Sequence, residues 1–477
     1  LIEAGGGDYI YRVEDYFARP KSSSFQLSPN GKYLSYMEKD AANKRHVMIK
    51  EVASGKVERA IEERDELIRG YGWINDSRLV YIMDKGGNED YHLFAVNTDG
   101  TANIDLTPFE GVKAQILSLL KEQKDYIIVS LNKDNPQIFE PYRIHVVTGA
   151  LEKLFTNDDP ANPIADYDFD KDGNLRGYTK MFQGVQSQYY YKVAEATDYA
   201  LLHTIKWDDT FGILNFNYAS DNPDEAYVLT NLDADKARIV LYDFKSQKII
   251  KEIFANDAYD ASIISLSKKR NWEVDYVGFE GEKVTLTALS STFKTIFSDL
   301  SKEFPNYEYT IAGKTDDESQ FLVVVQSDKC YGRYYLYDAQ ARRTTLLYDL
   351  MPQLKEEDMA EMRPITFTSR DGLPLHGYLT IPKSTQAGQQ FPLIVNPHGG
   401  PQGVRDSWGF NPEAQLFASR GYATLQVNFR ISGGYGKNFL RAGFKQVGRK
   451  VMDDLEDGVR YSIASGIVDS ANVAIYG

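Results

Sequence analysis

The feature that most constrains this chain is a degenerate repeat. From about residue 25 to residue 350, short strands alternate with polar turns at a spacing of about 40–50 residues. Stretches such as 33–37, 79–83, 126–130 and 321–325 alternate in period two or carry β-branched and aromatic runs. Turn residues separate them, as in Ser28-Pro29-Asn30-Gly31, Asn75-Asp76-Ser77, Asp99-Gly100 and Asp172-Gly173. Closing strands recur at 91–96, 142–147, 237–244 and 334–338. A unit of this length cannot bury both faces of its own sheet, so it must stack against copies of itself. Four strands per unit is the arrangement of a β-propeller blade. The stretch holds roughly seven units of that spacing, placed near 25–62, 67–107, 113–156, 164–206, 212–255, 258–304 and 307–350. A pair of β-sandwiches accounts for the strands but not for the period. The chain has 33 Tyr and 24 Phe against six His, an excess of rings that suits sheets.

Composition narrows the partners. Lys plus Arg total 54 and Asp plus Glu 68, a net charge of −14, so nucleic acid is not an expected partner. Cys330 is the one cysteine, which excludes an intrachain disulfide and a thiolate metal cage. The acidic turns Asn157-Asp158-Asp159 and Asp316-Asp317-Glu318 lack calcium-loop spacing, and no metal or cofactor is expected. No run approaches the ~18 apolar residues that cross a bilayer, so no membrane partner is expected either. The first seven residues lack the regions of a signal peptide and a start methionine, so a processed N-terminus is expected. Cytoplasm and periplasm both remain open.

The texture changes at Met351. Residues 352–362 are charged and helix-like, and read as a linker or a connecting helix, with 351–365 as the linker between domains. A hairpin follows, with Asp371-Gly372 at its turn. Residues 392–395 read as a strand buried on both faces. Asn411-Pro412-Glu413 opens a helix that runs to about Ser419 and stops near Gly421. Residues 423–427 form a second strand. Val451, Leu455, Val459 and Ile463 mark the apolar face of another helix, and 473–476 form a third strand. Strands alternating with helices imply a parallel α/β sheet. The expected organisation is an N-terminal segment at 1–24, a seven-bladed β-propeller at 25–350, a linker at 351–365, and the first part of an α/β-hydrolase domain at 366–477.

Two features point to chemistry. The strand at 473–476 runs into Gly477, which suits the first glycine of a Gly-x-Ser-x-Gly nucleophile elbow, although a glycine after a strand also suits an ordinary turn. Asn396-Pro397-His398-Gly399-Gly400-Pro401 follows the first parallel strand, where two glycines let backbone N–H groups reach a developing oxyanion. The alternative is a plain Gly-Pro turn. Arg405 lies close enough to that turn to reach a substrate carbonyl or carboxylate, or else to form a surface ion pair.

The segment from about 363 to 477 resembles the prolyl oligopeptidase family of serine peptidases, nearest its acylaminoacyl-peptidase-like branch. The residues that carry this are Ser369-Arg370-Asp371-Gly372 with Gly377-Tyr378-Leu379, His398-Gly399-Gly400-Pro401, Asn428-Phe429-Arg430 leading to Ser432-Gly433-Gly434-Tyr435-Gly436, and 453–459. The resemblance implies peptide or acyl-peptide cleavage by a Ser-Asp-His triad in that chain order. All three members are then expected beyond Gly477, and none of His46, His92, His145, His203, His376 or His398 is the general base. The resemblance places Gly399, Gly400 and His398 at the oxyanion hole, with a backbone N–H of Gly399 or Gly400 as the donor and the His398 ring either part of that hole or structural. Ile431 stands where relatives usually have glycine, which constrains the loop. Adjacent glutamates hold the substrate amino terminus in dipeptidyl-peptidase relatives. Here Glu62-Glu63 and Glu356-Glu357 read as solvated charges, which disfavours dipeptide release. Asp453, Asp454 and Asp457 read as surface or capping groups.

The leading expectation is a serine peptidase whose propeller admits short peptides and excludes folded proteins. A propeller binding module with an incomplete, inactive hydrolase lobe, and an esterase on the same fold, are the alternatives. A sheet that stops at 473–476 exposes an open edge. This predicts either a C-terminal remainder of the domain or an oligomer partner on that edge, and predicts that residues 1–477 alone are not a stable soluble monomer.

Overall fold

The computed structural model describes residues 9–84, 86–383 and 388–477. Seven of its eight sheets follow one another along the chain as propeller blades, at 22–61, 68–105, 114–153, 164–205, 211–254, 261–288 and 308–349. Six have four antiparallel strands in sequence order, and the sixth has three. The helix Ser291–Glu303 follows that sixth sheet in place of a fourth strand. Ser290 caps it by accepting from the Phe293 N–H. Phe293, Ile296, Phe297 and Leu300, spaced i, i+3, i+4 and i+7, are buried in a cluster with Tyr276 and Phe321.

The blades are glued by side chains that alternate across each sheet. In Tyr126–Asn135, residues 127 to 132 are all buried, because neighbouring blades cover both faces. One cluster joins Val80, Leu93 and Ala95 of blade 2 to Ile127, Val129 and Ile144 of blade 3. Between blades 4 and 5, the rings of Tyr191 and Phe244 stack at 4.1 Å, and Arg176 reaches Asp224 at 2.5 Å. Every described sheet consists of consecutive strands, so the ring closes without an exchanged strand. At that seam Phe25 of blade 1 lies 4.7 Å from Tyr334 and 5.1 Å from Tyr348 of blade 7, and the Asp316 N–H donates to the Pro29 carbonyl at 2.7 Å.

The eighth sheet belongs to the hydrolase lobe. Its strand order is Glu361–Thr368, Pro374–Ile381, Ala423–Asn428, Phe391–Val395, Val468–Ile475. The first two form the hairpin, whose turn Gly372 has φ +89°. Phe391–Val395 runs parallel to both of its neighbours. The helix Pro412–Ser419 begins at Asn411, which accepts from the Ala414 N–H at 2.9 Å. The helix Lys450–Ala464 lies close over the sheet because Gly458 has no side chain. A Cβ there would stand 2.8 Å from the Val427 side chain.

Several expectations need correction. Residues 351–365 are not a helical linker. They hold a single 3-10 turn, Glu356–Asp358, and the strand Glu361–Thr368 begins within them. Met351, Leu354 and Met359 are buried there against Tyr16 of the N-terminal helix Val13–Phe17, while Lys355 and Glu357 between them stay exposed. Asp454 and Asp457 are buried rather than superficial, because Arg430 and Arg370 reach them; Asp453 is half-buried. Glu63 is likewise buried and accepts the Ile68 N–H at 3.0 Å, whereas Glu62 is exposed beside Arg64. Glu356 pairs with Arg333 at 2.6 Å and accepts from the Tyr307 hydroxyl at 2.7 Å.

Candidate active site

Parallel pairing brings two segments together that are eighty residues apart in sequence. Val395 is in register with Ile475, and the Tyr476 N–H donates to the Val395 carbonyl at 2.8 Å. The Asn396 side-chain amide donates to the Tyr476 carbonyl at 2.9 Å. Gly477 therefore abuts the glycine-rich turn, and a Cβ built on it would stand 3.1 Å from the Pro397 carbonyl oxygen. Crevices at the carboxyl ends of parallel strands are where open α/β sheets bind their ligands.

The turn itself is open and braced from behind. A Cβ on Gly399 would meet nothing within 4 Å, and Gly400 has φ +120°, a conformation that suits glycine. Among the described residues, neither glycine N–H has a hydrogen-bond partner. The His398 ring stacks on Phe429 at 4.2 Å, with Nδ1 2.9 Å from the Gly399 carbonyl and Nε2 2.9 Å from the Ser432 hydroxyl. If Nδ1 carries the proton it donates to that carbonyl, and Nε2 accepts from Ser432. In a planar trans peptide the Gly400 N–H opposes the Gly399 C=O, so it is directed away from the ring. Ser432 and His398 do not form a catalytic pair. Ser432 is 1% exposed, and Nδ1 meets a peptide oxygen where a triad would place a carboxylate. No histidine among the described residues is hydrogen-bonded to both a hydroxyl and a carboxylate side chain.

The loop after the turn is stitched to 428–436. The Gly403 N–H donates to the Ile431 carbonyl at 3.0 Å, and the Gly433 N–H to the Val404 carbonyl at 3.1 Å. Any side chain on Gly433 would collide with the Gly403 carbonyl. Ile431 sits at φ +83°, left-handed for a β-branched residue, and its buried side chain fits because Gly443 leaves room for it. Asp406 donates its N–H to Asn428 Oδ1 at 2.7 Å and accepts from Gln426 at 2.8 Å. Burial pushes its carboxyl pKa up, opposed by His398, Gln426 and Arg405.

Arg405 does not face an open cleft. Its guanidinium donates to the carbonyls of Glu280 at 2.9 Å and Gly281 at 2.7 Å, and lies 4.8 Å over the Tyr435 ring. This contact with blade 6 replaces the substrate contact expected of it. Further ties run to the same side of the ring. Asp235 accepts the Asn438 N–H at 2.7 Å, Asp260 accepts the Gly436 N–H at 3.0 Å, and Lys437 reaches Asp209 at 2.9 Å. Among the described residues, no hydrogen bond or ion pair joins 22–205 to 361–477. Sequence reasoning missed these interface residues because each partner lies more than a hundred residues away. The doubled acid Asp208-Asp209 between blades was the available signal, facing Arg441 and Lys437.

A seven-bladed ring ahead of a parallel sheet, with a glycine-rich turn abutting the end of its edge strand, is the arrangement of a β-propeller followed by part of an α/β-hydrolase domain. Residues 408–477 match the model of the prolyl oligopeptidase family. Dipeptidyl aminopeptidase BIII of Pseudoxanthomonas mexicana is 28% identical over 99% of this chain and 68% of its own length. Dipeptidyl peptidase family member 6 of Caenorhabditis elegans is 26% identical over 100% of this chain and 68% of its own. Among solved structures, a prolyl endopeptidase superposes with TM-score 0.70 at 14% identity, covering 98% of this chain and 70% of that one. The Pyrococcus horikoshii acylaminoacyl peptidase superposes with TM-score 0.52 at 19% identity, covering 95% and 65%. The chain is thus similar to serine peptidases of the prolyl oligopeptidase family, and its residues 408–477 carry that family's signature.

Proposed function

We propose that this protein hydrolyses short peptides or acyl-peptides, using a Ser-Asp-His triad supplied by sequence that follows Gly477. The observation that carries this is the parallel register that sets Gly477 against Pro397. A serine two residues further on would rise beside the N–H groups of Gly399 and Gly400. Its Oγ would attack the scissile carbonyl while the triad histidine takes its proton. The glycine N–H groups would hold the oxyanion, and the imidazolium would protonate the leaving amine. Water would then release the acyl group by the same steps. The propeller would exclude folded proteins from this site.

The two relatives that match over the whole chain are named as dipeptidyl peptidases, so the expectation against dipeptide release is not carried forward. A fluorophosphonate probe on the full-length protein should label a serine two residues after Gly477; a protein that resists labelling refutes the proposal. Comparing free-amino dipeptidyl, acyl-aminoacyl and internally blocked peptide amides separates release of dipeptides, release of acyl residues and internal cleavage. An enzyme that turns over only esters is an esterase instead.

A further inference from the structure

The glycine-rich turn belongs to the hydrolase lobe, yet its loop is gripped by the propeller. Arg405 stands five residues after Gly400. Its two acceptors, the Glu280 and Gly281 carbonyls, lie where the second strand of blade 6 turns into the third. Its Nε stays on its own loop, 3.2 Å from the Asp406 carbonyl. The side chain is 10% exposed, and the nearest carboxylate oxygen, on Glu280, is 3.7 Å away and already accepts from Ser407. The buried charge is thus met mainly by peptide dipoles and the Tyr435 ring. A buried guanidinium is costly unless its donors are engaged. Two of these donors are engaged only while the 280–283 turn is docked. The same loop is fixed at its base through the Gly403, Gly433 and Asp406 N–H bonds. One rigid path therefore runs from blade 6 through Arg405 to the 398–401 turn.

We infer that Arg405 is a positioning residue through which the docked 280–283 turn of the propeller sets the geometry of the oxyanion turn. The inference rests on the peptidase proposal. Transition-state donors displaced by about 1 Å cost up to about a hundredfold in rate. Loss of the tie should therefore lower kcat and leave KM nearly alone. An arginine that bound substrate would show the reverse when removed.

The test uses the full-length enzyme, with kcat and KM on a small peptide amide and the rate constant of fluorophosphonate labelling. Variants are R405M, R405K and G281V. A Cβ on Gly281 would stand 3.0 Å from the rings of Phe279 and Tyr259, so valine displaces the propeller turn without changing a hydrolase residue. R405M and G281V should each lower kcat and labelling by about 10–100-fold, with KM within about threefold. R405K, which keeps the charge without the fork, should fall between. The R405M/G281V double variant should be no slower than the slower single. A raised KM with kcat intact, wild-type kcat in G281V, or additive losses would overturn the inference. A wild-type enzyme that resists the label overturns the peptidase proposal and this inference with it. A labelled wild type with unaffected variants overturns this inference alone.

Discussion

The propeller and the hydrolase lobe hold themselves together in different ways. In the ring, buried side chains fall into separate clusters, each confined to one or two blade junctions. In the hydrolase lobe the main cluster runs from Ile365 to Val468 and takes in all five strands, beside a small one of Met362, Tyr378 and Trp408. That lobe is also knotted by Arg430, whose guanidinium bonds both oxygens of Asp454, at 2.7 and 2.8 Å, and both of Asp371, at 2.8 and 2.9 Å. A stack of modules confines damage to its nearest neighbours. A core that spans every strand of one sheet has no such partition. Four experiments press on that contrast.

The largest effect should come from Asp454→Ala. It removes one of the two carboxylates that hold a buried arginine and should cost the hydrolase lobe about 3 kcal/mol, with propeller signals unchanged in hydrogen exchange. Uniform loss of protection in both regions would break the comparison. Phe25→Ala removes the ring seated at the seam and should cost about 3 kcal/mol, with added exchange confined to blades 1 and 7.

The third experiment is a pH series. Burial raises the Asp168 carboxyl of blade 4 to about 7, against the hydrogen bond donated by Tyr189. The folded state then keeps a proton that the unfolded chain has released, so this group's stability contribution falls as pH rises from about 4 to 7. Asp168→Asn should melt above the wild type at pH 8 and level with it below pH 4. In the hydrolase lobe, Arg430 first, then Ser369 and Lys450, hold the Asp371 carboxyl far below the usual range. Its contribution is present above about pH 4 and is lost as pH falls further. The two carboxyls should thus respond to acid with opposite sign, and the same pH dependence of the melting shift in Asp168→Asn and Asp371→Asn would refute this. The smallest effect should be Arg370→Met. Its guanidinium is exposed, and Asp457, the one buried carboxylate it reaches, keeps the Arg370 backbone N–H, so the drop in melting temperature should be smaller than in Asp454→Ala.

Much of the fold was legible because it is locally encoded. Strand alternation and turn residues repeat within each blade, and Asn411-Pro412-Glu413 announces its helix in three residues. The missing strand of blade 6 was also written locally, in Ser290 followed by Phe293, Ile296, Phe297 and Leu300, but the repeat pattern masked it. What could not be read depends on distant partners. Asp454 looks like a surface acid until Arg430 folds over it, and Arg405 looks like a free cation until blade 6 supplies its carbonyls. The charges of 355–358 mimic a helix, yet Tyr16, over three hundred residues earlier, packs on Met351, Leu354 and Met359 beside them. At the site, the glycine-rich turn was visible as a motif, but its closeness to Gly477 follows from sheet pairing.

The seam without an exchanged strand bears on how the chain is made. Each blade can complete its own sheet as it leaves the ribosome, since none waits for a strand from the other end. The ring is different. Phe25 and Pro29 meet their partners only after Asp316, Tyr334 and Tyr348 have been translated. Blade 1 therefore carries an uncovered apolar flank throughout synthesis of the ring, and the N-terminal Tyr16 waits longer still, for Met359. Within the ring, the blade that waits longest for its neighbour is thus the first of the seven to be made.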